Sequence, residues 1–383
     1  MKTKASDVEI AIPLLYDRNF PPSAWTAAAK ALEASGVVDY VQTWDQLTSW
    51  FPKSMWTVEN TPLAAMMPDC DSFCDAFTMG VYAQAAAPGL GTVISTDAIR
   101  TGPAELTQKM MTISDLTQGR SIFQLGAGEI KQCKPFGWKR AQGLGRLEDH
   151  YKAFDALWNA KGPIDLPGNH VNLTNAWLGG TKNHRPRLWG LGGGPKFAEI
   201  TASYADGFVT MCPWAATTPE RWAEMIANMK QIRERAGRDP EDFSFGLWAS
   251  VLLHDDPDVI DRALDNPFNR WWAAIAGRLN QSDWEIEGIT APWPADWHYS
   301  RHLLPAELGD AEARAIVDKG TREMAEKSFF TGSASDVAAQ LKPYIEAGAN
   351  WISVIDLLPF VLDPEEAIGA LPRSIDVARC LKQ

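Results

Sequence analysis

Short apolar runs of strand type alternate with runs of helix type along almost the whole chain, and this alternation constrains the fold more than any other feature. "VEIAIPLL" (8–15) reads as a strand, "PSAWTAAAKALEASG" (22–36) as an Ala-rich helix closed by Gly36, and "VDYVQTW" (38–44) as a second strand. A strand, a helix and a strand on short connections make a parallel βαβ unit. The pattern continues through a helix at 72–87, a strand at 90–96, a helix at 103–120 and a strand at 121–128. A helix at 146–160 and a loop or hairpin insertion through about 185 come next, then strands at 187–194 and 207–212 on either side of a helix at 195–205. "PERWAEMIANMKQIRERAG" (219–237) carries the clearest helix pattern. Thr218 is its N-cap, Pro219 sits in its first turn, Trp222, Met225, Ile226 and Met229 form its apolar stripe, and Gly237 ends it. Strands at 243–253 and 351–359, the second preceded by a helix at 334–348, bring the total to about eight.

Strands this short and this uniformly apolar belong to a parallel sheet buried on both faces. A closed (β/α)8 TIM barrel fits the series better than an open doubly wound sheet, because no G-x-G-x-x-G follows the first strand. The expectation is a single barrel domain over 1–383, with the segment at about 254–330 inserted between the seventh and eighth strands and lying over the barrel mouth.

At 383 residues the chain can bury a large core, and its net charge of −12 argues against nucleic acid or an anionic membrane as a partner. A local basic pocket for a small anionic cofactor is compatible with that balance. The five cysteines, Cys70, Cys74, Cys133, Cys212 and Cys380, are scattered and read as reduced thiols. Cys70 and Cys74 are spaced to share a helix face, but no histidines accompany them and no metal site is expected. "MKTKASDVEI" at the N-terminus has no apolar leader pattern, and no apolar run approaches the ~18 residues of a membrane span, so a cytoplasmic protein is expected. Among seventeen tryptophans, Trp271, Trp272, Trp284, Trp293 and Trp297 cluster in an irregular, Pro-rich stretch suited to walling a pocket.

In such a barrel the site lies at the carboxyl ends of the strands. Those ends carry Asp45, Gln46 and Trp50 after strand two, "TVISTD" (92–97) at strand three, "GAGE" (126–129) at strand four and "GLGGGP" (190–195) at strand five. Gly192, Gly193 and Gly194 precede a helix starting at Pro195; they read either as a plain tight turn or as a close-approach cradle for a cofactor phosphate. Glu129 reads either as a solvated loop acid or as a site carboxylate.

The runs "SIFQLGAGE", "RLEDHYKAFDALWN", "WGLGGGPKFAEITASYADGFVT" and "DQLTSWFPK" together resemble the bacterial luciferase-like flavin and deazaflavin oxidoreductase superfamily. Within it the chain is most similar to the coenzyme F420-dependent branch, which includes F420-dependent glucose-6-phosphate dehydrogenase and phthiodiolone ketoreductase, and the likeness runs from about 8 to 380. The resemblance implies a luciferase-like TIM barrel that binds F420, with FMN as the alternative cofactor. In that branch an Asp-His pair follows strand two, a tryptophan comes four residues after the His, and a glutamate follows the G-x-G of strand four. Asp45, Trp50 and Glu129 match, whereas Gln46 stands at the histidine position and no histidine occurs before His150. The family's non-prolyl cis peptide would fall near Val93 and Ile94, and the cofactor would be held by Asp45, Val93, Ile94, Gly126, Ala127 and Gly128, with its phosphate near Gly192, Gly193 and Gly194.

A deazaflavin transfers hydride, so the protein supplies position, proton transfer and exclusion of water. Gln46 can hold a carbonyl by a hydrogen bond but has no proton to give at neutral pH, whereas Glu129 titrates. The catalytic set implied is Glu129 as acid or base, with Gln46 and Trp50 orienting the reacting oxygen. His298 and His302 are candidates to replace the missing histidine if their loop folds over the mouth, and with Trp293 they are expected to line the substrate pocket. The expected activity is hydride transfer to or from a carbonyl, alcohol or activated alkene of a fairly apolar small molecule. The alternatives are an FMN-dependent monooxygenase of the same superfamily and a cofactor-binding relative without catalysis. A homodimer is the family expectation.

Overall fold

The computed structural model describes residues 7–383 other than Tyr16, so the start of the N-terminal stretch considered above lies outside the described residues. The strands are β1 (Glu9–Pro13), β2 (Tyr40–Trp44), β3 (Gly91–Asp97), β4 (Ser121–Gly126), β5 (Ile164–Leu166), β6 (Leu173–Ala176), β7 (Arg187–Leu191), β8 (Gly207–Cys212), β9 (Ser244–Leu253), β10 (Phe330–Gly332) and β11 (Trp351–Asp356). Eight of them pair in parallel in the order β1-β2-β3-β4-β7-β8-β9-β11, and β11 returns to β1 with Ile10 beside Ile352. The result is a closed (β/α)8 TIM barrel. β5 and β6 form the antiparallel hairpin between the fourth and fifth barrel strands.

The strands are buried on both faces because each supplies two apolar sets with a period of two. Ile10, Ile12, Val41, Ile94, Phe123, Leu125 and Val354 pack outward under helices that present Trp25, Leu32, Leu106, Met110 and Trp222. Ala11, Val93, Ile122, Trp189, Val209 and Trp351 fill the barrel. Trp189 meets Trp351 edge to face at 5.7 Å, and Gly207 makes room for it, since a Cβ there would lie 2.7 Å from the indole. The amino end is closed by Tyr40, whose hydroxyl donates to Glu9 Oε1 at 2.6 Å and is bonded by Arg187. Near the other end sits a polar layer: Ser95 Oγ and Trp248 Nε1 donate to Gln124 Oε1 at 2.9 and 3.0 Å, and Gln42 bonds Ser353.

Several boundaries differ from the sequence reading. The fifth barrel strand ends at Leu191 and the fourth at Gly126, so Gly128 and the three glycines from Gly192 to Gly194 lie in loops. The helix expected from residue 72 begins at Ala76, where Asp75 accepts from Thr78 N at 2.7 Å; Cys70 and Cys74 therefore share no helix face. The only cis peptide bond among the described residues joins Cys212 to Pro213, so the bond between Val93 and Ile94 is trans. Both side chains are fully buried, Val93 inside the barrel and Ile94 beneath the helices, rather than at the mouth.

Residues 254–330 leave the carboxyl end of β9 and form helices that include Pro257–Asp265, Pro267–Ala276, Tyr299–His302 and Asp310–Lys319 before β10 returns to pair with the end of β9. At three residues, β10 is too short to show a period. The helices share the inner core with the loop after β2: Phe51 stacks on Phe268 at 4.1 Å, and Trp271 Nε1 donates to Trp50 O at 3.1 Å. Trp271 and Trp284 are fully buried, so these two build the insertion's core and do not wall a pocket.

Candidate functional site

The carboxyl end of β2 runs into Asp45, whose amide donates to Ser95 O at 2.8 Å. Its carboxylate accepts from Thr96 Oγ1 at 2.6 Å and pairs with Arg100 at 3.0 Å, and Arg100 also pairs with Asp97 at 2.5 Å. Burial works against the charge of Arg100, but Asp97 and Asp45 outweigh it and hold the guanidinium above its ordinary range. Asp45 is thus engaged in fastening β2 to β3. Arg100, which the sequence reading did not single out, is the fastener.

The next turn is docked on the short helix Ile130–Cys133 that follows β4. Gln132 Oε1 accepts from Leu47 N at 2.7 Å, Gln132 Nε2 donates to Thr48 O at 3.0 Å, and Lys131 Nζ donates to the same carbonyl at 3.0 Å. Lys131 is 2% exposed. Its ammonium lies 3.1 Å from Glu129 Oε2 and 4.0 Å from the ring centre of Trp50, so one buried cation ties Glu129 and Trp50 together. Burial pulls the lysine below its ordinary value, against the opposing pull of Glu129. Gln46 is nearly buried, and neither its Oε1 nor Trp50 Nε1 has a hydrogen-bond partner among the described residues. Trp50 leans on Trp272 at 5.4 Å, and Trp272 on Trp214 at 5.4 Å, forming an aromatic wall.

Tyr299, from the insertion, faces Glu129; burial, reinforced by that carboxylate, pushes its phenol well above its ordinary value. His298 and His302 take other roles. His298 Nδ1 accepts from Ser300 N at 3.2 Å and caps its own short helix, and burial, reinforced by Arg301 and Arg140, lowers it to about 4. His302 is exposed and stacks on Trp297. Trp293 stacks on Trp297 at 4.4 Å and donates to Ala274 O at 2.8 Å, within the insertion's own packing. The sequence reading named His298 and His302 from this segment and did not single out Tyr299, the residue in it that faces Glu129. Tyrosine beside two histidines carries no local signal of its own, and Lys131 looked like an ordinary polar helix residue.

Gly126, Ala127 and Gly128 lead from β4 to Glu129. Gly128 has φ +82°, and a Cβ on it would lie 2.7 Å from Ile99 Cδ1. Across the barrel, Gly193 and Gly194 are exposed before the helix Pro195–Tyr204, and the first intrahelical bond runs from Ala198 N to Gly194 O. The amides at this start point out of the helix. A Cβ on Gly193 would have Thr210 Oγ1, 4.0 Å away, as its nearest neighbour, and that buried hydroxyl has no partner among the described residues. Open space, outward amides and an orphaned hydroxyl fit an anionic group such as a phosphate.

Residues 17–350 match the family described as "Luciferase-like monooxygenase". The phthiodiolone/phenolphthiodiolone dimycocerosates ketoreductase of Mycobacterium bovis (strain BCG / Pasteur 1173P2) is 24% identical over 355 residues, which cover 90% of this chain and 91% of that protein. The F420-dependent glucose-6-phosphate dehydrogenase of Amycolatopsis mediterranei (strain U-32) is 24% identical over 266 residues, 68% of this chain and 71% of that one. A solved F420-dependent secondary alcohol dehydrogenase, in complex with an F420-acetone adduct, superposes with a TM-score of 0.74 at 18% identity, covering 98% of this chain and all of that one. With the match running through nearly the whole barrel and across both glycine loops, the chain belongs to the luciferase-like monooxygenase family.

Proposed function

We propose that the protein is a coenzyme F420-dependent oxidoreductase acting on a carbonyl, alcohol or activated alkene of a fairly apolar molecule. The observation that carries this reading is the Glu129 carboxylate at the mouth, paired with buried Lys131, which also lies over the Trp50 ring, and faced by Tyr299. The names of the two F420-dependent relatives support the cofactor. Gly193, Gly194 and Thr210 would hold the phosphate, and the bound deazaflavin would supply hydride chemistry. Glu129 would take up or return the proton of the reacting oxygen. Trp50 Nε1, buried and unpartnered among the described residues, would donate a hydrogen bond that orients that oxygen, and Gln46 would do so through its amide N–H. The wall of Trp50, Trp272 and Trp214 would exclude water.

The family description favours a second reading, an FMN-dependent monooxygenase. Titrating the purified protein with F420 and with FMN separates the two. F420 is expected to bind the tighter; tighter FMN binding, with oxygen-dependent turnover when a flavin reductase is added, would establish the second.

A further inference from the structure

Arg140 opens the 3-10 turn Arg140–Gln142 just after the loop that carries Glu129. Gly143, just after that turn, sits between that loop and the guanidinium: a Cβ built on it would fall 1.9 Å from Ala127 O and 2.9 Å from Arg140 Nη1. Glycine at 143 is thus what lets the turn press so closely onto the residue next to Gly128. Arg140 Nε is buried without an acceptor, and among the described residues the guanidinium has no ion pair or hydrogen bond. The acids in its field are Cys133, whose thiol burial pushes up to about 11 and so keeps neutral, and Glu129 and Asp97, which are already taken. Asp97 is held by Arg100 and by the Ile99 amide, Glu129 by Lys131. The other cation in that field, Arg301, donates to Asp296 O at 2.7 Å and pairs with no carboxylate, while its short helix packs against Ile130–Cys133. A partly buried guanidinium with a sealed, unsatisfied donor is costly unless something supplies an acceptor. An exposed second cation, Arg301, within the same field in a chain of net charge −12 sharpens the question of what the counter-ion of Arg140 is.

We propose that Arg140, flanked by Arg301, is an anion-recognition subsite beside Glu129, which takes a carboxylate or phosphate group of a molecule bound at the mouth. The planar fork of a guanidinium suits either group. The low position of His298, set by burial and reinforced by Arg301 and Arg140, agrees with a positive field there. This subsite stands apart from the glycine loop at Gly193 and does not depend on which redox cofactor the protein takes. The anionic group belongs either to the cofactor's tail or to the substrate.

The test is calorimetric titration of the wild type, Arg140→Met and Arg301→Gln with inorganic phosphate and with acetate. It is combined with titration by F420 and by the bare deazaflavin chromophore lacking phosphate and tail. Charge-assisted bonds of this kind predict a loss of phosphate or acetate affinity of roughly 10- to 100-fold in Arg140→Met and a smaller loss in Arg301→Gln. If F420 affinity falls in step while the bare chromophore binds unchanged, the anion is the cofactor's. If phosphate or acetate binding is lost and F420 binding is kept, it is the substrate's. Equal affinity of the wild type and both variants for every probe would overturn the proposal, because phosphate held only at the glycine loop would not sense Arg140. Should Arg140→Met fail to fold, exposed Arg301→Gln and a milder Arg140→Gln carry the same comparison. Failure of F420 to bind the wild type would sink the cofactor reading above and leave the anion titrations decisive here.

Discussion

At the scale of single residues, the site turns on a carboxylate whose surroundings are unusual for a loop acid. Glu129 has a cation 3.1 Å away that is itself shut off from water, and a phenol from a segment some 170 residues further along the chain. If Glu129 moves the proton, Glu129→Gln should lower turnover by about 10²- to 10⁴-fold while leaving cofactor affinity nearly intact, measured by steady-state kinetics beside F420 titration. Gln46→His in the same assay should add a titrating group and change the pH profile. Full activity in Glu129→Gln would move the proton donor to Tyr299 or Lys131. The sequence made Glu129 and Trp50 visible through their spacing from the strand ends. Lys131 stayed hidden because its burial depends on Thr48, 83 residues away, and on the face of Trp50.

At the scale of elements, the loops at the carboxyl ends divide the work. The turn after β2 is pinned to the helix after β4 through Gln132 and Lys131, and Lys131 holds Trp50 close to Glu129. The loop after β7 is open at Gly193, where a side chain would meet nothing closer than Thr210 Oγ1 at 4.0 Å. Gly193→Val should therefore fold with little change in melting temperature, yet weaken cofactor binding at least tenfold by filling the space a phosphate needs. Unchanged affinity would dismiss this loop as the cradle. The eight barrel strands were legible, whereas β10 was not and β5 and β6 were read only as a loop or hairpin. Strand ends were less legible, because Gly128 and the glycines after Leu191 continue the run without continuing the ladder.

At the scale of the whole molecule, the insertion is tied to the barrel by Trp271 bonding Trp50 O, by Phe51 against Phe268, and by the helix Tyr299–His302 against Ile130–Cys133. His298 sits at that seam, lowered to about 4 from 6.5. Between these values the unfolded chain binds the proton and the folded one does not, so stability falls as pH drops from about 6.5 toward 4. Urea midpoints across that range should show the wild type losing stability relative to His298→Asn as pH falls. Parallel curves would exclude His298 as the source. Burial sets this shift, and it is reinforced by Arg301 from the same segment and by Arg140 from the barrel side.

The sequence by itself determined the barrel, because strand and helix periods are local and each βα pair repeats the same burial pattern. It also determined which loops reach the mouth, since chain direction fixes every carboxyl end on one side. Which side chains meet there was decided by tertiary structure alone. Lys131 under Trp50, Tyr299 facing Glu129, Gly143 against Ala127 and the core role of Trp271 arise from contacts between segments far apart in the chain. Burial, which turns an ordinary lysine or arginine into a group that needs a partner, is a property of those contacts and leaves no mark on a local pattern.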